Sequence, residues 1–166
     1  VVLHTTNGGL SWIPQTSGTF NELYGVYFTD NLHGWVVAQF GEILHTNDGG
    51  GTWRSQRSGT GENLNKVYLA DTKHGIIVGD NGVILTTTNG GAKWEVQESG
   101  PENDLLGFAL SPQGMVAVGR GGSAMRYSID AEALPVNLPP IAEAIESAEP
   151  ETPTVEEVVY HWDIIR

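Results

Sequence analysis

A chain of 166 residues, 39% of them apolar, is long enough to bury one core of ordinary size. Its 22 glycines follow no three-residue period, which excludes a collagen-like helix, and its net charge of −12 repels phosphate backbones and anionic membrane surfaces, so nucleic acid is not an expected partner. The absence of cysteine removes disulfides, thiol catalysis and thiolate metal sites, and no apolar run approaches the roughly 18 residues that a membrane span needs.

The chain opens on Val1-Val2-Leu3, with neither a signal-like segment nor an initiator Met, as expected for a processed product or an internal fragment. Thr5-Thr6-Asn7-Gly8-Gly9-Leu10-Ser11-Trp12 follows, and the same pattern returns 41 residues later as Thr46-Asn47-Asp48-Gly49-Gly50-Gly51-Thr52-Trp53. It returns again after another 41 as Thr87-Thr88-Asn89-Gly90-Gly91-Ala92-Lys93-Trp94. Two flanking series keep step with it. One is Leu23-Tyr24-Gly25-Val26, Leu64-Asn65-Lys66-Val67 and Leu105-Leu106-Gly107-Phe108; the other is Gly34-Trp35-Val36-Val37, Gly75-Ile76-Ile77-Val78 and Gly114-Met115-Val116-Ala117. Three patterns on one period define a structural repeat.

Within a unit, 23–28, 34–39, 42–46 and 52–57 are short, β-prone and separated by Gly, Asn or Asp turns. Four short strands in about 41 residues describe one blade of an all-β propeller, four strands to an antiparallel sheet. The phase of the repeat gives the last two strands of a blade in 1–18, full blades in 19–59 and 60–100, and three strands of another in 101–130. About three and a half blades are therefore expected over residues 1–130. Five of the eight prolines then fall between Leu134 and Pro153, and residues 131–166 carry eight acids against one Arg. This acidic C-terminal extension reads as a linker over 131–154. Residues 155–166 read as a terminal strand that completes a blade or pairs with another chain. A short helix through Ile141 to Ala148 is the other expectation there.

The Asp48 carboxylate is placed to accept backbone N–H bonds across its turn, and Trp53 to cover the hairpin and fill the gap between sheets. A carboxylate among glycines also suggests Ca²⁺, but the ordered ligand positions of an EF-hand loop are missing, and Asn7 and Asn89 replace Asp48 in the other copies. The run Thr46 to Trp53 resembles the Asp-box, or BNR repeat. The wider pattern, from Leu23-Tyr24-Gly25-Val26 through Gly34-Trp35-Val36-Val37 to Gly41-Glu42-Ile43-Leu44-His45-Thr46, is similar to the photosystem II stability and assembly factor family, over about residues 1–130. That resemblance implies a seven-bladed binding scaffold that escorts an assembling reaction-centre subunit, and a periplasmic, lumenal or secreted location. The basic surface it implies would draw on Arg54, Arg57, Arg120 and Arg126, which are sparse.

Sialidases and other glycoside hydrolases carry similar turns, so a hydrolase or carbohydrate-binding propeller is the alternative. Glu22, Glu62 and Glu102 recur near blade starts, with Tyr24 beside one of them, yet no nucleophile and base pairing is legible. His4 and His45 share one repeat position, and His33 and His74 another, which spreads them over different blades rather than one coordination shell; His161 has no evident partner. Tyr24, Tyr27, Trp35, Tyr68 and Phe108 are candidates for core or blade interfaces. No catalytic, cofactor or metal site is assigned. The expected function is a non-enzymatic protein-binding or assembly scaffold with a protein partner. A homodimer that combines exposed blade edges into a ring of about eight blades is the structural alternative.

Overall fold

The computed structural model describes residues 1–97, 103–111 and 114–127. The expected linker (131–154), terminal strand (155–166), helix over 141–148, Glu102 and His161 lie outside the described residues.

The described residues form four antiparallel sheets in sequence order. Strands β1 (Val2–His4) and β2 (Ile13–Gln15) pair as a hairpin. Strands β3 (Leu23–Phe28), β4 (Gly34–Ala38), β5 (Ile43–Thr46) and β6 (Arg54–Gln56) form a complete four-stranded blade. A second blade follows in β7 (Leu64–Leu69), β8 (Gly75–Gly79), β9 (Ile84–Thr87) and β10 (Glu95–Gln97). Strands β11 (Leu105–Ser111), β12 (Gly114–Gly119) and β13 (Ala124–Tyr127) make the three-stranded start of another. Each sheet is a meander of neighbours in sequence, so these are blades of a β-propeller in the phase that the repeat implies.

The second strand of each full blade is buried from end to end: Gly34 to Ala38 and Gly75 to Gly79. A strand covered on both faces needs apolar residues at every position, which is why Trp-Val-Val-Ala and Ile-Ile-Val replace the usual alternation. One face of β4 and β5, with Trp35, Val37 and Ile43, packs on Leu64, Val67, Leu69, Ile77 and Leu85 of the next blade; Trp94 closes this joint. The opposite face of β8 and β9, with Ile76, Val78 and Ile84, packs on Leu105, Met115 and Ala117, with Phe108 and Leu110 beside them. Burial of each such large side chain contributes roughly 1.5–3 kcal/mol, and these joints are the core.

The register corrects the sequence alignment at one point. Gly34 pairs with Phe28 and Gly75 with Leu69, but Met115 pairs with Leu110 and Gly114 with Ser111. Met115 therefore occupies the place of Gly34 and Gly75. Two residues, 112–113, separate these strands where five separate their counterparts, so the hairpin gains one extra pair. The first strand of all three blades also carries an irregularity at Tyr24, Asn65 and Leu106, where one residue is skipped in the pairing. Such a bulge re-aims its side chain; Tyr24 is exposed, while its counterpart Asn65 is half-buried. Trp35 is fully buried, while Tyr27 and Tyr68 pack ring against ring at 4.9 Å between centroids.

Candidate functional site

Two sides of the blades differ in what they carry. On one side the loops after the first strand meet the turns after the third: Gly49 N–H donates to Leu32 O and Gly90 N–H to Lys73 O. In the 46–53 turn, the buried Thr46 hydroxyl accepts from Gly50 N–H at 2.9 Å and donates to Asp48 Oδ1 at 2.7 Å. Asp48 also accepts from the Thr52 N–H and hydroxyl at 2.8 and 2.7 Å. These donors, the Thr52 N–H first, hold its carboxyl at about 2. Asn7 and Asn89 accept the equivalent backbone bond in their own turns, from Ser11 N–H and Lys93 N–H. All three copies are thus closed hydrogen-bonded corners. Trp94 enters the joint and donates from Nε1 to Gln56 Oε1 of the preceding blade, whereas Trp53 stands edge-on to Phe28 at 6.1 Å.

The histidines follow the same logic. His33 Nδ1 sits 2.9 Å from Asp30 and His74 Nδ1 2.9 Å from Asp71, each pair closing a loop after the first strand. His45 packs on Trp35 with ring centroids 4.5 Å apart, and burial pushes its pKa down. Its repeat counterpart His4 is exposed. Among the described residues, no three His, Asp or Glu side chains are grouped to hold a metal.

On the other side lie the 3₁₀ turns after each second strand (Gln39–Gly41, Asp80–Gly82 and Arg120–Gly122) and the connections that lead into the next blade. Here a latch repeats. The N–H of Phe40 donates to Asn63 Oδ1 of the following blade at 3.1 Å, and the N–H of Asn81 to Asp104 Oδ1 at 3.2 Å. Each middle residue is left-handed, Phe40 at φ 57, Asn81 at φ 52 and Gly121 at φ 68. Within each blade the turn is pinned by a pair whose chemistry varies: Gln39 with Glu22, Asp80 with Asn63, and Arg120 with Asp104 at 3.3 Å.

The register also separates two carboxylates that the sequence groups together. Since Leu23 and Leu64 are equivalent, Glu22 corresponds to Asn63 and not to Glu62. Glu22 accepts from the Tyr24 hydroxyl at 3.1 Å, and Glu62 from Asn81 Nδ2 at 2.9 Å. Tyr24 and Glu22 therefore meet, but Arg54 lies on β6, Arg57 on the connection after it, Arg120 on a 3₁₀ turn and Arg126 on β13.

A shallow groove of about 610 Å³ lies on this side, lined by Phe40, Gly41, Glu42 and residues 55–61. A second, apolar groove of about 420 Å³ separates β1 from the outward face of β3, with Leu3, Leu23, Val26 and Phe28 on its walls.

With this geometry, residues 5–96 match the family model described as photosynthesis system II assembly factor YCF48. The chain belongs to that family. It is similar to a solved structure of YCF48 bound to a D1 peptide, at 25% identity and TM-score 0.61, covering 75% of this chain and 44% of that one. It is also similar to YCF48 from Cyanidioschyzon merolae, at 25% identity and TM-score 0.55, covering 68% and 35%. The chain thus spans less than half the length of these family structures. An ancestral GH74 enzyme shares the fold at 16% identity and TM-score 0.54, covering 78% of this chain and 21% of that one. No curated protein matches the chain.

Proposed function

We propose that this chain is a non-enzymatic protein-binding scaffold of the assembly-factor kind, holding a partner segment on a propeller surface. The observation that carries the reading is the family membership over residues 5–96, together with a YCF48 structure that holds a D1 peptide. The rigid frame supports it: two apolar joints fix the blades, and the turns are internally bonded. A synthetic D1 peptide titrated into the isotope-labelled chain is expected to give saturable shifts of surface amides. Turnover of a glycoside that is lost in Glu22→Gln or Tyr24→Phe, without peptide binding, would replace this reading by the hydrolase one.

The two outer faces favour a second element of this reading. Val26 and Phe28 occupy the places that Val67 and Leu69 take in the first joint, yet they are 59% and 38% exposed. At the other end Val116 and Val118 occupy the places of Ile76 and Val78 in the second joint, and are 44% and 50% exposed. These faces are matched halves of the same joint and fit further blades of this repeat, in a longer chain or in a second copy. The proposed division into repeats over 1–130, a linker over 131–154 and a blade-completing or partner-pairing strand over 155–166 belongs with it. The solution mass of the 166-residue chain separates a homodimer from a monomer.

A further inference from the structure

Phe40 stands out as a residue that the fold does not need. Its backbone is left-handed, at φ 57 and ψ 31, in a region where a bulky L-residue is strained. The equivalent turns place Asn81 and Gly121 there, residues suited to that conformation. The latch to the next blade uses only the backbone N–H, and Asn81 makes the same bond equally well. Burial does not offset the strain, since Phe40 remains 69% exposed. Nor does this exposure depend on the outer faces, because Phe40 lies at the joint between the two complete blades. Strain retained without a packing return points to function.

Arg57 lines the same groove. It is exposed and has no ion-pair partner among the described residues, in a chain with net charge −12. By the repeat, its sequence counterparts are Thr16 and Glu98. Glu42, the acid in the groove, is already engaged: its Oε2 accepts from Thr19 and Asn21 at 2.7 and 2.8 Å. Ser55, Gln56, Ser58 and Thr60 supply polar walls. An exposed aromatic ring and a guanidinium that has no ion-pair partner among the described residues thus share one groove, and both depart from the repeat.

We infer that the Phe40–Arg57 groove is a recognition subsite for a partner peptide that presents an apolar side chain next to a single carboxylate. The ring covers the apolar side chain, and the guanidinium takes the carboxylate as a charge-assisted pair. This rests on the protein-binding reading above and names the chemistry of its partner.

The test uses the full chain, isotope-labelled, and three blocked tetrapeptides: Gly-Leu-Asp-Gly, its Asn analogue Gly-Leu-Asn-Gly and its Ala analogue Gly-Ala-Asp-Gly. The first is expected to shift amides of residues 40–42 and 55–61. The Asn analogue should bind more weakly, by up to about fivefold, the range of an exposed ion pair, and the Ala analogue more weakly through the apolar contact it loses. Arg57→Gln should erase the preference for Asp over Asn. Phe40→Asn, which installs the residue of the next turn, should erase the preference for Leu over Ala while leaving the unfolding midpoint unchanged or higher. Shifts elsewhere, equal binding of the three peptides, or retained preferences in both variants would overturn the subsite. A lower midpoint in Phe40→Asn would do so as well, by making Phe40 a residue of the frame. If the D1 peptide binds and these preferences are missing, the subsite fails and the scaffold reading stands; if neither binds, both fail.

Discussion

The two sides of the blades are built from one repeat and have diverged unequally. On the side of the 46–53 turn, Thr5, Thr46 and Thr87 accept the same bonds from Gly9, Gly50 and Gly91, and Asn7, Asp48 and Asn89 each accept the equivalent backbone N–H. On the side of the 3₁₀ turns, the left-handed turn is kept while its middle residue runs through Phe40, Asn81 and Gly121. Repetition marks what the fold requires at every blade. Divergence over a constant backbone marks positions at which the fold does not dictate the side chain.

The comparison breaks most visibly if the joint that carries both sides is opened. Trp35→Ala removes a fully buried ring and is expected to cost about 3–5 kcal/mol in chemical denaturation. Thr46→Ala tests the repeated side alone. It leaves the buried Gly50 N–H without its acceptor and should cost about 1–3 kcal/mol, with a similar loss in Thr87→Ala. The diverged side should answer with the opposite sign: Phe40→Asn relieves left-handed strain and should stabilise by up to about 1 kcal/mol. The smallest effect belongs to Asp48→Asn, which should leave the midpoint at neutral pH nearly unchanged. Its signature is in acid. The folded carboxyl titrates at about 2, below its unfolded value of 3.8, so its stabilisation is complete above about pH 4 and lost as pH falls toward 2. A pH series should therefore show a shallower acid limb in the variant than in the parent.

The propeller was legible because a 41-residue period needs only one sequence compared with itself. Strand β3 falls on the expected 23–28, and the buried second strands announce themselves as unbroken apolar runs. The misplacement of Gly114 had a physical source. A glycine before an apolar run looks like the start of the same strand, and only pairing reveals the shorter hairpin. The bulges at Tyr24, Asn65 and Leu106 leave no mark in composition, so the exposure of Tyr24 is not legible in its β-prone segment. The candidate groove was hidden for a different reason: a Phe in a β-rich segment reads as core until its backbone conformation is known. The signal that could have found it is the mismatch of Phe40 with Asn81 and Gly121 at one repeat position.

The latch between blades runs one way. The donor always belongs to the earlier blade and the acceptor to the later one, 23 residues further on in both instances. During synthesis, the turn of each blade therefore emerges with its N–H still uncommitted. It waits for about 23 more residues, roughly 1–5 s at ordinary ribosomal rates, before its acceptor exists. Structure is thus handed forward along the nascent chain, and each blade becomes fully fastened only when the residue leading into the opening strand of its successor has been made.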